Sequence, residues 1–131
     1  MRITTSFSFL LLFILGFVSC SQQTETGQLT PAVFAEKMKT TGVVVLDVRT
    51  IDEFTSGHIE GAKQLDYYET ESFNAAIDAL DKEVTYLLYC RSGGRSGTTY
   101  DMMVQKGFKK VYNLEGGMLA WQKANMPVVA P

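Results

Sequence analysis

The sequence predicts an α/β domain in which helices cover both faces of a mainly parallel sheet, a three-layer sandwich. Two short runs of mostly apolar residues, at 43–48 and 84–89, indicate buried strands, and a third strand is predicted at 109–114. Helical patterns separate these runs, and strands that alternate with helices are typical of parallel sheets. Ligands of such sheets bind beyond the carboxyl ends of the strands, so functional residues are expected there.

The first helix is predicted after Thr30, which has the character of an N-cap, with Pro31 at the first helical position. Val33, Phe34 and Met38 then recur at helical spacing, so they are expected to form the apolar face of this helix. The first buried strand follows at 43–48.

A second, short helix is predicted by Thr50 and Glu53, which form a capping box, with Gly57 placed to end it. A weaker strand is expected at 62–68 and another helix at 71–80.

The strand at 84–89 leads to a helix from residue 96 that Gly107 can close. After the strand at 109–114, the segment at 116–127 begins with a glycine turn and continues as a last helix. The length of 131 residues suits one domain with a single modest core.

The N-terminal residues have the pattern of an export signal. Arg2 precedes an apolar run at 7–18, which is shorter than the roughly 20 residues that a membrane-spanning helix needs. The segment "FVSC" that ends at Cys20 resembles the lipobox of bacterial lipoproteins, with Phe17 in place of the usual leucine.

This pattern predicts a lipoprotein-type signal peptide at 1–19, lipidation of Cys20, a polar tether at 20–27 and the folded domain at 28–131. The expected location is the bacterial cell envelope, with a lipid anchor in a membrane and the domain in the periplasm or outside.

Charge and cysteine content narrow the function. The net charge of −2 and the absence of a clustered basic stretch argue against nucleic-acid binding. One His and two Cys residues, of which Cys20 is expected to carry lipid, are too few for a zinc site, so neither a metal nor a cofactor is expected. Cys90 is then a lone thiol, which in an exported protein is either buried or reactive.

The segment "YCRSGGRSG" at 89–97 favours a reactive thiolate over a merely buried cysteine. Cys90 ends a strand, Gly93 and Gly94 let the backbone curl so that N–H groups converge, and the following helix directs its N-terminus at the loop. Arg91 and Arg95 add positive charge. All these features stabilise an anion, either the thiolate itself or a bound anionic substrate.

Three motifs in order resemble the rhodanese family: "LDVRTIDEFTSGHIEGA" at 46–62, "YCRSGGRS" at 89–96 and "GFKKVYNLEGGMLAW" at 107–121. The resemblance implies a rhodanese-type fold and a Cys90 that accepts a sulfane sulfur as a persulfide. It also implies that Ser96 opens the helix behind the loop and that the substrate cradle consists of Arg91, Ser92, Gly93, Gly94 and Arg95.

Neighbouring residues favour structural roles. Asp47, Arg49 and Glu53 are expected to form ion pairs that tie the first buried strand to its helix. His58 is expected to be a turn residue rather than a general base, because the transfer of a sulfur atom to a cysteine that is already a thiolate needs no base. The related phosphatases have five residues between Cys and Arg; here four separate Cys90 from Arg95, which argues against a phosphate ester as substrate.

The leading hypothesis is therefore a sulfurtransferase that takes sulfur from a small anionic donor such as thiosulfate and passes it to a thiophilic or thiol acceptor, including a protein. Two alternatives remain: a persulfide carrier or binding module that acts only with a protein partner, and an inactive domain used for docking. The intact cysteine and cradle argue against the last.

Overall fold

The computed structural model describes residues 25–131, which form a five-stranded sheet in the order β1-β5-β4-β2-β3 with every neighbouring pair parallel. The parallel α/β architecture is thereby confirmed. The strands are β1 (Glu25–Leu29), β2 (Val44–Asp47), β3 (Lys63–Gln64), β4 (Thr85–Tyr89) and β5 (Lys110–Leu114). The helices are α1 (Pro31–Met38), α2 (Ile51–Ser56), α3 (Thr70–Asp78), α4 (Gly94–Gln105) and α5 (Gly117–Lys123).

Helices bury both faces of the sheet. On one face, Phe73 of α3 and Met103 of α4 pack with strand residues that include Leu88. On the other, Phe34 of α1 and Trp121 of α5 form a second cluster, in which their rings meet edge to face with centroids 5.9 Å apart. This two-sided burial explains why the central strands are nearly continuous apolar runs.

The edge strand β1 corrects the predicted tether. Residues 20–27 were expected to be an unstructured polar link, but Glu25–Leu29 pairs along its length with β5. The Asn113 side chain of β5 also donates a hydrogen bond to Gln28 Oε1 at 2.9 Å. Backbone pairing at a sheet edge needs no apolar pattern, so a polar segment forms this strand. The predicted signal peptide and Cys20 lie outside the described residues.

The structure confirms the predicted starts of α1 and α2 but not every residue of the predicted apolar face of α1. The capping box of α2 is confirmed, since Thr50 Oγ1 accepts from Glu53 N–H and Glu53 Oε2 accepts from Thr50 N–H. Pro31 begins α1 as predicted, and Thr30 occupies the N-cap position without a side-chain capping bond. Val33, expected in the apolar face, is 52% exposed because α1 turns only one narrow stripe toward the sheet.

The other elements differ mainly in their bounds. Strand β3 has two residues rather than the longer run expected, and α4 begins at Gly94 instead of Ser96. The earlier start of α4 brings its N-terminus to the loop that contains Cys90. None of the helices within residues 25–131 is both long and apolar enough to cross a membrane.

Candidate active site

Cys90 lies immediately after β4, at the carboxyl edge of the sheet, and is 1% exposed. Its Sγ accepts hydrogen bonds from Gly93 N–H at 3.1 Å and from the Ser96 hydroxyl at 3.3 Å. The hydrogen bond from Gly97 N–H to the Gly93 carbonyl, 2.9 Å long, starts the ladder of α4. The N–H groups at 94–96 therefore precede the first intrahelical bond, at the positive end of the helix dipole.

This environment lowers the pKa of the Cys90 thiol. Burial is the largest single influence and raises the pKa, because it disfavours a charged sulfur. Hydrogen bonds from the Ser96 hydroxyl and from the backbone N–H groups of Ser96, Gly93 and Ser92 together outweigh burial. The expected thiolate nest thus has a structural basis in the loop and the first turn of α4. Ser96, expected only to support the helix, contacts the sulfur directly.

The two loop glycines differ. Gly93 has φ +101°, in the left-handed region that favours glycine, and this turn brings its N–H to the sulfur. Gly94 has no positive φ, and a Cβ placed there would meet no other atom within 4 Å. The expectation that both glycines let the backbone curl is therefore wrong for Gly94, which lies in the first turn of α4.

The start of α5 holds the loop from behind. Met118 N–H donates to the Cys90 carbonyl at 2.9 Å, and Leu119 N–H donates to the Arg91 carbonyl at 3.0 Å. Gly117 makes this approach possible, because a Cβ at its position would lie 2.5 Å from the Cys90 carbonyl oxygen. Sequence reasoning missed this role, although the paired glycines before the last helix were the available signal.

Arg95 is engaged in an ion pair. Its two terminal nitrogens donate to the two carboxylate oxygens of Glu53, each at 2.8 Å, and its guanidinium lies 5.4 Å from the centroid of the Tyr68 ring. This pairing, with smaller contributions from Thr50, lowers the pKa of Glu53 to about 2. Glu53 was expected to pair with Arg49; α2 instead directs it at the Cys90 loop.

A separate buried network stabilises the end of β2. Arg49 Nη2 lies 2.6 Å from Asp47 Oδ2 and also donates to the Gly57 carbonyl at 2.7 Å. The Tyr89 hydroxyl accepts from Ile59 N–H at 3.1 Å, and its pKa is raised by burial and by Asp47. The Asp47–Arg49 pair agrees with the expected structural role, and it fixes β2 to the turn that follows α2.

Arg91 is exposed, and no ion pair joins it to any residue within 25–131. It lines a pocket of about 200 Å³ between α2 and α5, together with Leu119 and Gln122. The two loop arginines are therefore not equivalent: one is paired within the protein, and the other faces solvent beside a pocket.

His58 is packed as a turn residue. Its ring stacks on Phe54 with centroids 3.8 Å apart, Nδ1 lies 2.9 Å from the Phe54 carbonyl, and its backbone pairs with Val129. These contacts supply a structural role for the ring. Within the described part of the chain, no group of three or more His, Cys, Asp or Glu residues is arranged to hold a metal ion.

Comparisons with known proteins agree with this geometry. A family model described as "Rhodanese-like domain" matches residues 30–124. The chain is 35% identical over 92 residues to thiosulfate sulfurtransferase GlpE of Stutzerimonas stutzeri, covering 70% of this chain and 82% of that protein. It is 33% identical over 106 residues to tRNA uridine(34) hydroxylase of Chlamydia caviae, covering 77% of this chain and 32% of that protein. The crystal structure of a rhodanese-related protein from Thermoplasma volcanium superposes with a TM-score of 0.68 at 27% identity, covering 79% of this chain and 98% of that one.

Proposed function

The chain belongs to the rhodanese-like family, and we propose that it is a sulfurtransferase that carries a sulfane sulfur on Cys90. The observation that carries this proposal is the nearly buried Cys90 sulfur, which accepts hydrogen bonds from Gly93 N–H and the Ser96 hydroxyl at the N-terminus of α4. Such an environment favours the thiolate, which is the nucleophilic form of cysteine.

In the first half-reaction, the Cys90 thiolate attacks the outer sulfur of a donor such as thiosulfate. A new S–S bond forms to Cys90 while the S–S bond of thiosulfate breaks, and the electron pair leaves with sulfite. The charge on the protein stays at one negative unit, now on the terminal sulfur of the persulfide. No proton moves, so the step needs no general base, in accord with the structural packing of His58.

In the second half-reaction, a thiophilic acceptor such as cyanide or a thiolate attacks the terminal sulfur, and the Cys90 thiolate is released. The N–H groups at the start of α4 stabilise negative charge on the protein in both resting states. Because they are held in place by the helix and by α5, they do not need to reorganise between the two steps.

Exposed Arg91 is proposed to attract the anionic donor, with the main-chain groups of Ser92, Gly93 and Gly94 forming the rest of the cradle. Arg91 directly follows Cys90 in the loop, and its guanidinium is free of an ion pair within residues 25–131. Because the side chain is solvated, its contribution to capture is expected to weaken as salt concentration rises.

A persulfide carrier that acts only with a protein partner is the second candidate. It is favoured by the relation to the tRNA uridine(34) hydroxylase, in which the aligned segment spans 32% of a larger protein. The two candidates share the chemistry at Cys90 and differ in whether a small acceptor suffices.

A membrane location through lipid on Cys20 is also proposed, on the basis of the segment "FVSC" after the apolar run. One lipid-modified cysteine that carries more than one acyl chain gives stable anchoring. Mass spectrometry of the full chain from a bacterial membrane fraction tests this. A Cys20→Ala variant should lose the lipid, and an unmodified Cys20 in a soluble mature protein would contradict the proposal.

The experiment for the central chemistry is intact-mass measurement of the full chain after incubation with thiosulfate. We expect the mass to increase by one sulfur atom, the increase to be reversed by a thiol reductant, and Cys90→Ser to show no increase. Sulfur uptake by Cys90→Ser would overturn the assignment. Thiocyanate formation with cyanide then separates the candidates: turnover by the purified protein supports the independent enzyme, whereas loading without turnover supports the partner-dependent carrier.

A further inference from the structure

The loop contains a cation that the proposed reaction leaves unused. Arg95 is placed by the first turn of α4, directly before Ser96, whose hydroxyl contacts the Cys90 sulfur. An arginine at this position would be expected to attract anions to the site. Its guanidinium, however, is bound to both oxygens of Glu53 at 2.8 Å each, so its charge is offset within the protein.

The Glu53 carboxylate is also held within α2, by hydrogen bonds that do not involve Arg95. The backbone N–H and the hydroxyl of Thr50 both donate to Glu53 Oε2, at 3.0 and 3.1 Å. The side chains of Arg95 and Glu53 are only 15% and 28% exposed, and the Tyr68 ring lies against the guanidinium. The carboxylate is thus a fixed part of α2 that presents its charge to the loop, not a mobile surface partner.

The geometry points to Glu53 as a specificity-determining residue: by offsetting the charge of Arg95, it keeps the mouth of the Cys90 site from concentrating dianions. This inference rests on the proposed sulfurtransfer at Cys90. Exposed Arg91 remains as the cation that meets an incoming donor. The site is therefore expected to accept sulfane-sulfur compounds of low charge, such as thiol persulfides, alongside the dianion thiosulfate.

The charges lie close enough to interact. Glu53 is the main cause of the raised pKa of Arg95, and the Cys90 thiolate contributes to it as well. Removing the carboxylate charge would leave the charge of Arg95 uncompensated in the first turn of α4, next in sequence to Ser96, whose hydroxyl contacts the sulfur. A unit charge several ångströms away in a partly solvated site changes the reaction rate of an anion by about threefold to tenfold.

Two alkylating reagents of similar size test this without any sulfur donor. Iodoacetate is an anion and iodoacetamide is neutral, and both react with the same Cys90 thiolate. The ratio of their rate constants at one pH therefore does not depend on the fraction of thiolate. It reports the electrostatic potential at the mouth of the site, measured on the full chain at low, fixed ionic strength.

We expect Glu53→Gln to raise the iodoacetate-to-iodoacetamide ratio by about threefold to tenfold, because glutamine keeps the shape and the capping bond but removes the charge. Arg95→Gln should lower the ratio, because it leaves Glu53 as an uncompensated anion. Opposite shifts distinguish an electrostatic role from simple support of the loop, which would slow both reagents alike in both variants.

An unchanged ratio, or shifts of the same sign in the two variants, would overturn the inference. Should Glu53→Gln fail to fold, an unchanged ratio in Arg95→Gln is sufficient to reject it. The outcome is separate from that of the proposed function, because alkylation requires no persulfide. If Cys90 loads sulfur, Glu53→Gln should also favour loading from the dianion thiosulfate over loading from a small thiol persulfide, which transfers its outer sulfur to Cys90 and leaves as the thiolate, relative to the unmodified chain.

Discussion

The carboxyl ends of two neighbouring strands, β2 and β4, are stabilised in opposite ways. At the end of β2, the side chains of Asp47 and Arg49 neutralise each other and are almost completely buried. At the end of β4, Cys90 is surrounded by neutral donors from the backbone and from Ser96. The charges of Asp47 and Arg49 offset each other, whereas the neutral donors around Cys90 stabilise an anion without cancelling its charge. The end of β2 is therefore a closed end, whose charges are satisfied within the protein. The end of β4 is an open end, whose Cys90 sulfur can react with a ligand.

The largest expected effect is at the closed end. Asp47→Asn removes the charge opposite the buried Arg49 guanidinium, and loss of one partner of a buried ion pair typically costs about 3–5 kcal/mol. We expect a loss of unfolding free energy near the lower bound, because asparagine keeps part of the hydrogen bonding. Urea denaturation measures it, with Asp101→Asn on the exposed side of α4 as the matched control. Equal stabilities of the two variants would show that the Asp47–Arg49 pair does not hold this end of the sheet.

A smaller loss is expected where α5 supports the open end. Gly117→Ala places a methyl group against the Cys90 carbonyl at a left-handed backbone position, with φ +58°. Strain of this kind costs about 1–3 kcal/mol, and displacement of the loop should also slow alkylation of Cys90. Gly107→Ala is the control, because Gly107 shares a positive φ but has no atom within 4 Å of the added Cβ. If both variants lose stability equally and react at the same rate, contact with the loop is irrelevant.

The ion pair between α2 and α4 predicts a pH dependence at acid pH. The pKa of Glu53 is lowered from 4.5 to about 2 in the folded protein, so ionised Glu53 favours folding. This contribution is complete above pH 4.5 and is lost as the pH falls toward 2. We expect the difference in unfolding free energy between the unmodified chain and Glu53→Gln to shrink by about 1 kcal/mol over that range. The effect is this small because the Glu53 side chain is partly exposed to solvent. A difference that is constant with pH would contradict the assigned pair.

The residues around Cys90 were easier to predict from sequence than the contacts that other elements make with this loop. Cys90, its glycines and the start of α4 are adjacent in the chain, so their convergence follows from local geometry. The Glu53–Arg95 pair joins residues 42 positions apart, whereas Arg49, the expected partner of Glu53, lies only four positions away in the chain. The contact of Gly117 with the Cys90 carbonyl also spans separate elements, and only the packed structure reveals the lack of space for a side chain.

The central strands were likewise easier to predict than the edge strand β1. The residues of β2 and β4 are largely apolar because helices cover both faces of the sheet. Strand β1 is polar and lies at the sheet edge, where backbone pairing with β5 suffices, so composition alone indicated a tether. Periodicity detects burial, and an edge strand with little burial therefore escapes it.

The pH dependence of Cys90 alkylation by iodoacetamide tests whether neutral donors maintain a thiolate at the end of β4. We expect the unmodified chain to titrate below the ordinary pKa of a free thiol, about 8.5. Ser96→Ala should raise the pKa of Cys90, because it removes a hydrogen bond to the charged sulfur. Thr98→Ala, on the exposed side of α4, should leave it unchanged. A thiol that titrates at the ordinary value in the unmodified chain, or a Ser96→Ala variant with an unshifted pKa, would contradict the proposed thiolate site.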